Sequence, residues 1–217
     1  EKMRLRKIVG AEDYIYSQEK FIIKEPSKAK GKWREIFGNN NPIHVEFGTG
    51  KGNFITTLAK LNPDINYIGV EYKSAVLIKA MQKVEGVDQA NLRFLLFDVY
   101  TSNEVFDKDE LDRLYINFCD PWHKNKHSRR RLTHRRFLEV YKHFIKEGGW
   151  IHFKTDNRPL FQFSLNEFAD LGLKMQMISL DLHDDDMEDN VMTEYEAKFA
   201  GKGQPIFRAE VNLDNIR

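Results

Sequence analysis

A glycine-rich loop preceded by an acid occupies residues 44–53, which have the sequence HVEFGTGKGN. Gly48, Gly50 and Gly52 follow a short apolar run in the spacing G-x-G-x-G. This spacing differs from the G-x-G-x-x-G of dinucleotide-binding folds, and it lacks the G-K-[ST] ending of a P-loop. Glu46 comes two residues before the first glycine, where its charge would repel a pyrophosphate and attract a cation. The loop therefore favours a ligand that carries an ammonium group.

Two further acids end the next two segments with strand character. Glu71 could accept hydrogen bonds from both hydroxyls of a ribose, as carboxylates do in nucleotide-binding α/β folds. Asp98 could accept a bond from the amino group of an adenine. S-adenosylmethionine has an ammonium, a sulfonium, a ribose and an adenine, and it has no phosphate, so we predict this methyl donor as the cofactor. The residues predicted to contact it are Glu46, Gly48, Gly50, Glu71 and Asp98.

The stretch NFCDPW at 117–122 follows the fourth strand-like segment. In nucleic-acid methyltransferases this place faces the target base. Asp120 can accept bonds from the donor edge of a base, and Pro121 restricts the loop backbone. Trp122 could stack on a base or pack in the core. The stretch therefore predicts a base-binding loop beside the cofactor.

A basic run with the sequence HKNKHSRRRLTHRR fills residues 123–136, and no acid lies between Trp122 and Leu138. A solvated helix face would normally mix charges of both signs. The run therefore predicts a surface that binds the phosphate backbone of a nucleic acid.

An acidic segment lies later in the chain, where Met175 to Ala197 contain no lysine or arginine. Such a segment could fold over a base and accept hydrogen bonds from its donor edge, or offset the charge of a cationic product. Its acids do not have the spacing of an EF-hand, and Cys119 and the histidines lack the spacing of a zinc site. We therefore expect no metal.

Short segments rich in β-branched and aromatic residues alternate with amphipathic segments of helical spacing. These strands and helices must position the acids, the glycine loop and the basic run. The predicted strands are 43–47, 65–71, 92–98, 113–120, 150–156, 175–182 and 205–213. The predicted helices are 54–61, 75–84, 136–145 and 160–171. The alternation predicts a mostly parallel α/β sheet covered on both faces, with an antiparallel pair at one edge. The acids then meet at the carboxyl ends of the strands, where such sheets bind ligands.

The 217 residues suit one large domain, which we place at 41–217 behind a basic N-terminal arm and short helix at 1–40. The net charge of +1 does not by itself exclude any class of binding partner. One cysteine, Cys119, fits a reducing compartment, and no apolar run approaches the roughly 18 residues of a membrane helix. We predict a cytoplasmic protein that is a monomer or a homodimer and does not bind a membrane.

Seven stretches together resemble the bacterial tRNA (guanine-N(7)-)-methyltransferases over nearly the whole chain. They are GKW at 31–33, FGNNNPIHVEFGTGKG at 37–52, NPDINYIGVE at 62–71, YINFCDPW at 115–122, RRRLT at 129–133, HFKTDN at 152–157 and MTEYEAKF at 192–199. The resemblance implies a Rossmann-like class I S-adenosylmethionine-dependent methyltransferase fold with a seven-stranded sheet. It also implies tRNA as partner and methylation of nitrogen 7 of a guanosine in the variable loop.

The matching positions imply a role for individual residues. Cofactor contacts fall on Glu46, Glu71, Asp98 and Asp120, and Asp120 is also the position that the family treats as catalytic. Substrate-binding positions fall on Lys124, Asp156, Thr193, Glu194, Tyr195 and Glu196. RNA-contacting positions fall on Lys126, His127, Ser128, Arg129, Arg130 and Arg131. Family members usually carry proline and lysine where His123 and Asn125 stand, so we expect a less rigid loop with one phosphate contact fewer.

Three alternatives remain open at this stage. An exocyclic-amine methyltransferase of nucleic acid would carry a D/N-P-P-Y/F/W motif, and the missing second proline after Pro121 argues against it. A non-catalytic RNA-binding module could retain an old cofactor pocket. A nicotinamide-dependent dehydrogenase is the weakest candidate, given Glu46 and the glycine spacing.

Overall fold

The structure is a computed structural model, and it describes residues 8–185 and 190–216. In these residues, seven strands form one sheet in the order β3-β2-β1-β4-β5-β7-β6. The strands are β1 (Ile43–Phe47), β2 (Asn66–Glu71), β3 (Leu92–Leu96), β4 (Leu111–Asn117), β5 (Ile145–Thr155), β6 (Lys174–Ser179) and β7 (Phe207–Asn212).

Strands β1 to β5 are parallel, and β7 runs antiparallel to both β5 and β6. The predicted α/β class and the antiparallel pair at one edge are confirmed. The reversed strand β7 lies one place inside the edge, and β6 forms the edge itself.

Among the described residues, two α-helices precede β1 and five lie in the connections between strands. They are α1 (Ala11–Ser17), α2 (Trp33–Phe37), α3 (Asn53–Leu61), α4 (Ser74–Val84), α5 (Arg135–Phe144), α6 (Arg158–Asp170) and α7 (Glu194–Ala200). Short 3₁₀ helices occupy Pro26–Ala29, Val99–Glu104 and Asn125–Arg130. The four predicted helices correspond to α3, α4, α5 and α6.

Helix α7 has no counterpart among the predictions, because its seven residues are too short to show a helical periodicity. Thr193 is its N-cap, and the Thr193 hydroxyl oxygen accepts a hydrogen bond from the backbone N–H of Glu196 at 2.9 Å. The spacing T-x-x-E is the sequence signature of a capping box, so the start of this helix could have been found.

The two faces of the sheet carry separate cores. Val45, Phe47 and Ile116 point to one face, which α5 and α6 cover. The opposite face packs against α1, α3 and α4 through residues such as Ile55 and Phe94. Side-chain alternation along each strand produces this division and leaves the carboxyl ends of the strands open for a site.

Residues 8–40 share these two cores. Ile15 of α1 is fully buried beside α4, and Trp33 of α2 is fully buried beside Phe106. Ile22 also forms a parallel bridge with Phe94 of β3. The boundary between an arm and a domain at residues 40 and 41 stays a prediction, and the first seven residues of that arm lie outside the described part.

Within residues 8–185 and 190–216, no helix has both the length and the apolar character needed to cross a membrane.

Candidate active site

Glu46 lies inside β1 and is 2% exposed. Its carboxylate accepts hydrogen bonds from the Thr49 hydroxyl at 2.7 Å and from the Asn117 side-chain amide at 3.0 Å. Burial raises the pKa of this carboxyl to about 7, and the two hydrogen bonds oppose the rise. A cationic group beside Glu46 would favour its ionised form. The environment of Glu46 therefore suits the ammonium ligand that the sequence predicts.

The glycine loop is tied to β2 by its backbone. The N–H groups of Gly48 and Thr49 donate to the Val70 carbonyl at 2.8 and 2.9 Å. Gly48, with a φ of 76°, has the left-handed backbone that favours glycine, and a Cβ placed there would meet no atom within 4 Å. A Cβ at Gly52 would lie 2.7 Å from the Cβ of Ala80 on α4. Gly52 therefore serves helix packing, whereas Gly48 borders open space.

Glu71 ends β2 and connects two loops of the site. One carboxylate oxygen accepts from the backbone N–H of Gly50 at 3.2 Å, and the other accepts from the backbone N–H of Lys73 at 3.0 Å. Burial raises the pKa of this carboxyl, and the backbone hydrogen bonds oppose that rise. Each oxygen has a second lone pair, so the carboxylate can also accept from the two hydroxyls of a ribose.

Asp98 follows β3 and caps the 3₁₀ helix Val99–Glu104. Its Oδ1 accepts from the backbone N–H of Tyr100 at 3.0 Å, and the side chain is exposed. The cap orients the carboxylate at the same sheet edge as Glu46 and Glu71. Asp98 thus combines a structural role with the position that the cofactor prediction requires.

Asp120 belongs to a loop with an unusual backbone. Phe118 and Trp122 have φ angles of 51° and 44°, which bulky residues rarely adopt. The Asp120 carboxylate accepts from the backbone N–H of Trp122 at 3.1 Å. The Trp122 indole N–H donates to the Tyr100 hydroxyl at 3.2 Å, which joins this loop to the helix that Asp98 caps.

Helix α7 contacts the same loop through Tyr195. The Tyr195 hydroxyl donates to Asp156 at 3.1 Å, and its ring packs against Phe118 with 4.8 Å between the centroids. Desolvation and the Asp156 carboxylate raise the pKa of Tyr195 to about 12. The structure therefore brings Asp156 and Tyr195, two predicted substrate-binding residues, beside the Asp120 loop.

The other predicted substrate-binding residues on this segment differ in exposure. Thr193 and Glu196 are buried, Thr193 as the helix cap and Glu196 in an ion pair with Lys154 of β5. Glu194 is partly exposed and pairs with Lys83 of α4. Thr193 and Glu196 therefore hold the segment in place, whereas the side chains of Glu194 and Tyr195 remain partly exposed.

The basic run contains two kinds of cation. Lys124, Lys126, Arg129 and Arg130 are exposed. Arg135, in contrast, pairs with Glu167 and Asp170 of α6 at 2.9 and 3.1 Å, and no other cation of residues 123–136 has a described carboxylate within 4.0 Å. His127 and Ser128 are half-buried within the 3₁₀ helix.

A cationic cavity of about 330 Å³ has the Trp122 side chain as part of its wall. It is lined by Tyr100, Trp122, Arg129, Arg130, Arg136 and Phe137. The Arg130 guanidinium lies 4.9 Å from the Trp122 ring centroid, and that of Arg136 lies 4.6 Å from the ring centroid of Phe137. These stacked guanidiniums are oriented before any ligand arrives, and their N–H groups suit phosphate oxygens.

Arg131 does not fit the RNA-contacting position that the resemblance implies. Its side chain is buried at 7% exposure and bonds to backbone carbonyls of the Asp120 loop. The spacing of a basic run does not reveal which member turns inward, so sequence reasoning could not separate Arg131 from Arg130.

The contacts of three residues at the site were not predicted from the sequence. Asn117 bonds Glu46, Tyr100 bonds Trp122, and Lys154 holds Glu196. Lys154 carried a usable signal, since it is a charged residue inside the predicted strand 150–156. Asn117 lies in the stretch 117–122 that the sequence already indicated, but its partner Glu46 could not be assigned because it is far away in sequence. Tyr100 carried no comparable signal.

The strand order and the acids at the carboxyl ends of successive parallel strands define a class I methyltransferase. The family model "Methyltransf_4", described as "Putative methyltransferase", matches residues 40–209. Two solved structures share the fold. "Structure of an Antibiotic Related Methyltransferase" has a TM-score of 0.62 at 19% identity and covers 83% of this chain and 92% of that chain. A 16S rRNA (adenine(1408)-N(1))-methyltransferase variant from Catenulisporales acidiphilia, with cosubstrate SAM, has a TM-score of 0.59 at 15% identity, covering 87% and 91%.

Curated relatives are much closer in sequence. A protein of Bacillus velezensis named tRNA (guanine-N(7)-)-methyltransferase is 51% identical over 96% of both chains. Proteins of the same name from Streptococcus agalactiae serotype III and Bacillus subtilis strain 168 are 50% identical, covering 97% and 96% of this chain and 100% and 98% of their own. The chain belongs to the tRNA (guanine-N(7)-)-methyltransferase family.

Proposed function

We propose that this protein transfers a methyl group from S-adenosylmethionine to nitrogen 7 of a guanosine in the variable loop of tRNA. The observation that supports this most strongly is the contact between the two halves of the site. Trp122 lies in the loop of Asp120, and the guanidinium of Arg130 from the basic run stacks on its ring. If a base is bound near Asp120, the RNA strand that carries it therefore lies along the cationic surface formed by the basic run. The names of the relatives support tRNA as the nucleic acid.

The described residues fit the cofactor. Glu46 is a buried carboxylate with a raised pKa, Gly48 borders open space, and Glu71 and Asp98 offer carboxylate oxygens at the same sheet edge. We propose that Glu46 faces the ammonium end and that Glu71 and Asp98 face the ribose and the adenine. When bound, the cofactor supplies an electrophilic methyl group on a sulfonium.

Guanine presents a lone pair at nitrogen 7 and carries no proton there at neutral pH, so no general base is needed. One N–C bond forms as one S–C bond breaks, and the positive charge passes to the base. The chain must orient the base in line with the methyl group and stabilise the charge it gains. We propose that carboxylates of Asp120, Asp156 and Glu194 accept from the ring N–H and the amino group of the guanine.

The exposed cations of the basic run bind the phosphate backbone in this proposal. Contacts to phosphates carry no sequence information, so the four cations Lys124, Lys126, Arg129 and Arg130 would bind any RNA strand. Selection of guanosine over other nucleosides then takes place where the base binds. We further propose that the enzyme works in the cytoplasm, where tRNA and a reducing environment for Cys119 coincide.

The experiment that tests the function uses labelled S-adenosylmethionine and unmodified tRNA transcripts, followed by digestion to nucleosides. We expect the label in 7-methylguanosine and its loss when the variable-loop guanosine is replaced. Label in an N-methylated exocyclic amine would support the amine-methylating alternative instead. Cofactor binding without any label would favour the RNA-binding module, and an Asp120→Asn variant provides the matched control for turnover.

A further inference from the structure

Arg131 differs from its neighbours in the basic run because its side chain turns into the protein. Arg129 and Arg130 are exposed, whereas Arg131 is 7% exposed. It directly follows the 3₁₀ helix Asn125–Arg130, and its backbone N–H donates to the Ser128 carbonyl at 3.0 Å. The end of this short helix is therefore the point at which the run leaves the surface.

The guanidinium of Arg131 is bound on two sides. Its Nε donates to the Pro121 carbonyl at 3.0 Å, and its Nη2 donates to the Trp122 carbonyl at 3.1 Å. The group also lies over the ring of Phe163 on α6, 4.4 Å from the ring centroid. Two of its three nitrogens are therefore committed to contacts inside the protein, and little of the side chain is left at the surface.

The Asp120 loop needs such support. The left-handed backbone of Phe118 and Trp122 is strained and persists only where surrounding contacts hold it. Arg131 bonds two consecutive carbonyls next to Asp120, so it fixes the direction of the peptide planes that orient this carboxylate. A lysine has no planar fork and could not make both bonds with the same geometry.

We propose that Arg131 is a positioning residue that holds the Asp120 loop in its reactive conformation and makes no contact with RNA. Its effect on turnover rests on the proposed function, whereas its effect on the loop can be measured without RNA. Loss of Arg131 should therefore slow methyl transfer while leaving tRNA affinity nearly intact. Loss of Arg129, which is exposed, should weaken tRNA binding.

The kinetic test compares Arg131→Gln, Arg131→Lys and Arg129→Gln in the full chain. We expect Arg131→Gln to lower kcat by about 100-fold, because small misplacements of a reacting group cost that much. Its KM for tRNA and the salt dependence of tRNA binding should stay within about threefold of the parent values. Arg131→Lys should recover only part of the lost kcat. Arg129→Gln should raise KM for tRNA and flatten the salt dependence of tRNA binding.

A spectroscopic test reads the loop directly. The chain has three tryptophans, Trp33, Trp122 and Trp150, so labelling with 5-fluorotryptophan gives three ¹⁹F resonances. Trp122→Phe assigns the resonance of the loop. We expect Arg131→Gln to shift or broaden that resonance in the free protein and to leave the other two unchanged.

The outcomes separate the possibilities. An unchanged Trp122 resonance in Arg131→Gln, or a salt dependence that flattens as much as in Arg129→Gln, would overturn the positioning role. If the parent protein methylated no RNA, the proposed function would fail while the ¹⁹F result still decided whether Arg131 holds the loop. If Arg131→Gln did not fold, the same readouts on Arg131→Lys would decide, and parent-like kcat and Trp122 resonance there would refute the proposal.

Discussion

The Lys154 ammonium lies 2.7 Å from a carboxylate oxygen of Glu196, and this pair fastens the acidic segment to β5. Lys154 is 5% exposed and Glu196 is fully buried. The same ammonium donates to the Val191 carbonyl and to the Asn190 side chain at 3.0 and 3.1 Å. Burial lowers the pKa of Lys154, and the charge of Glu196 opposes that shift. The pair thus connects a sheet strand to the helix that carries Tyr195.

Removing one partner of this pair should be costly. Glu196→Gln removes the carboxylate that neutralises the buried Lys154 ammonium, so we expect a loss of about 3–5 kcal/mol in the free energy of unfolding. Urea denaturation of the variant and the parent measures this difference. Lys198→Gln on the same helix is the control, because Lys198 is exposed and its loss should cost under about 0.5 kcal/mol. Equal effects of the two substitutions would show that the buried pair has no special role.

The order of strands and helices could be predicted because each element carries its own periodicity. The strand at 43–47 and the helix at 75–84 match β1 and α4 closely. The strand at 150–156 was predicted too short, since β5 begins at Ile145 and the glycines at 148 and 149 resemble a turn. Helix α7 was not predicted, because it is short and lies at the end of the acidic segment, whose composition does not indicate a helix.

The site was predictable where backbone geometry decides and not where side-chain packing decides. Parallel strands bring Glu46, Glu71 and Asp98 to one edge whatever the details of packing. Whether Arg130 or Arg131 faces solvent depends on Phe163, which is far away in sequence. The inward turn of Glu196 depends in the same way on Lys154.

Cofactor binding should depend on pH through Glu46. Its pKa of about 7 lies above the ordinary value of 4.5, so the carboxyl is protonated below neutrality in the free protein. Its contribution to the stability of the free fold is present at low pH and is lost as pH rises from about 4.5 to about 7. The ionised form binds an ammonium, so affinity for S-adenosylmethionine should rise up to about tenfold per pH unit below pH 7 and level off above.

Calorimetric titration of the cofactor between pH 5.5 and 7.5, where its ammonium group stays mostly protonated, measures this dependence. Glu46→Gln cannot ionise, so its affinity should be weaker and nearly independent of pH across the same range. A parent affinity that does not change with pH would show that Glu46 does not face the ammonium.

Two glycines of the loop should respond differently to alanine. Gly52→Ala places a Cβ 2.7 Å from the Cβ of Ala80 at a φ of 81°, so strain and overpacking together should cost about 2–5 kcal/mol of folding stability. Gly48→Ala meets no atom within 4 Å and should cost only about 1–2 kcal/mol.

The order should reverse for cofactor affinity, because the Gly48→Ala methyl group enters the open space beside the loop. Thermal unfolding and cofactor titration on both variants measure the two effects. Tight cofactor binding by Gly48→Ala would place the ligand away from this glycine.

The cations of the basic run should separate into RNA-binding and structural ones. Replacing Arg129 and Arg130 together by glutamine should reduce the slope of log affinity for tRNA against log salt concentration by about 1.4, since each single-strand phosphate contact contributes about 0.7. Arg135→Gln is the matched control from the same run, because its guanidinium already pairs with Glu167 and Asp170. That variant should lose folding stability and keep the parent slope. Filter binding at four salt concentrations measures the slopes. If the slope fell as much in Arg135→Gln as in the double variant, tRNA affinity would depend on the total charge of the run and not on its exposed cations.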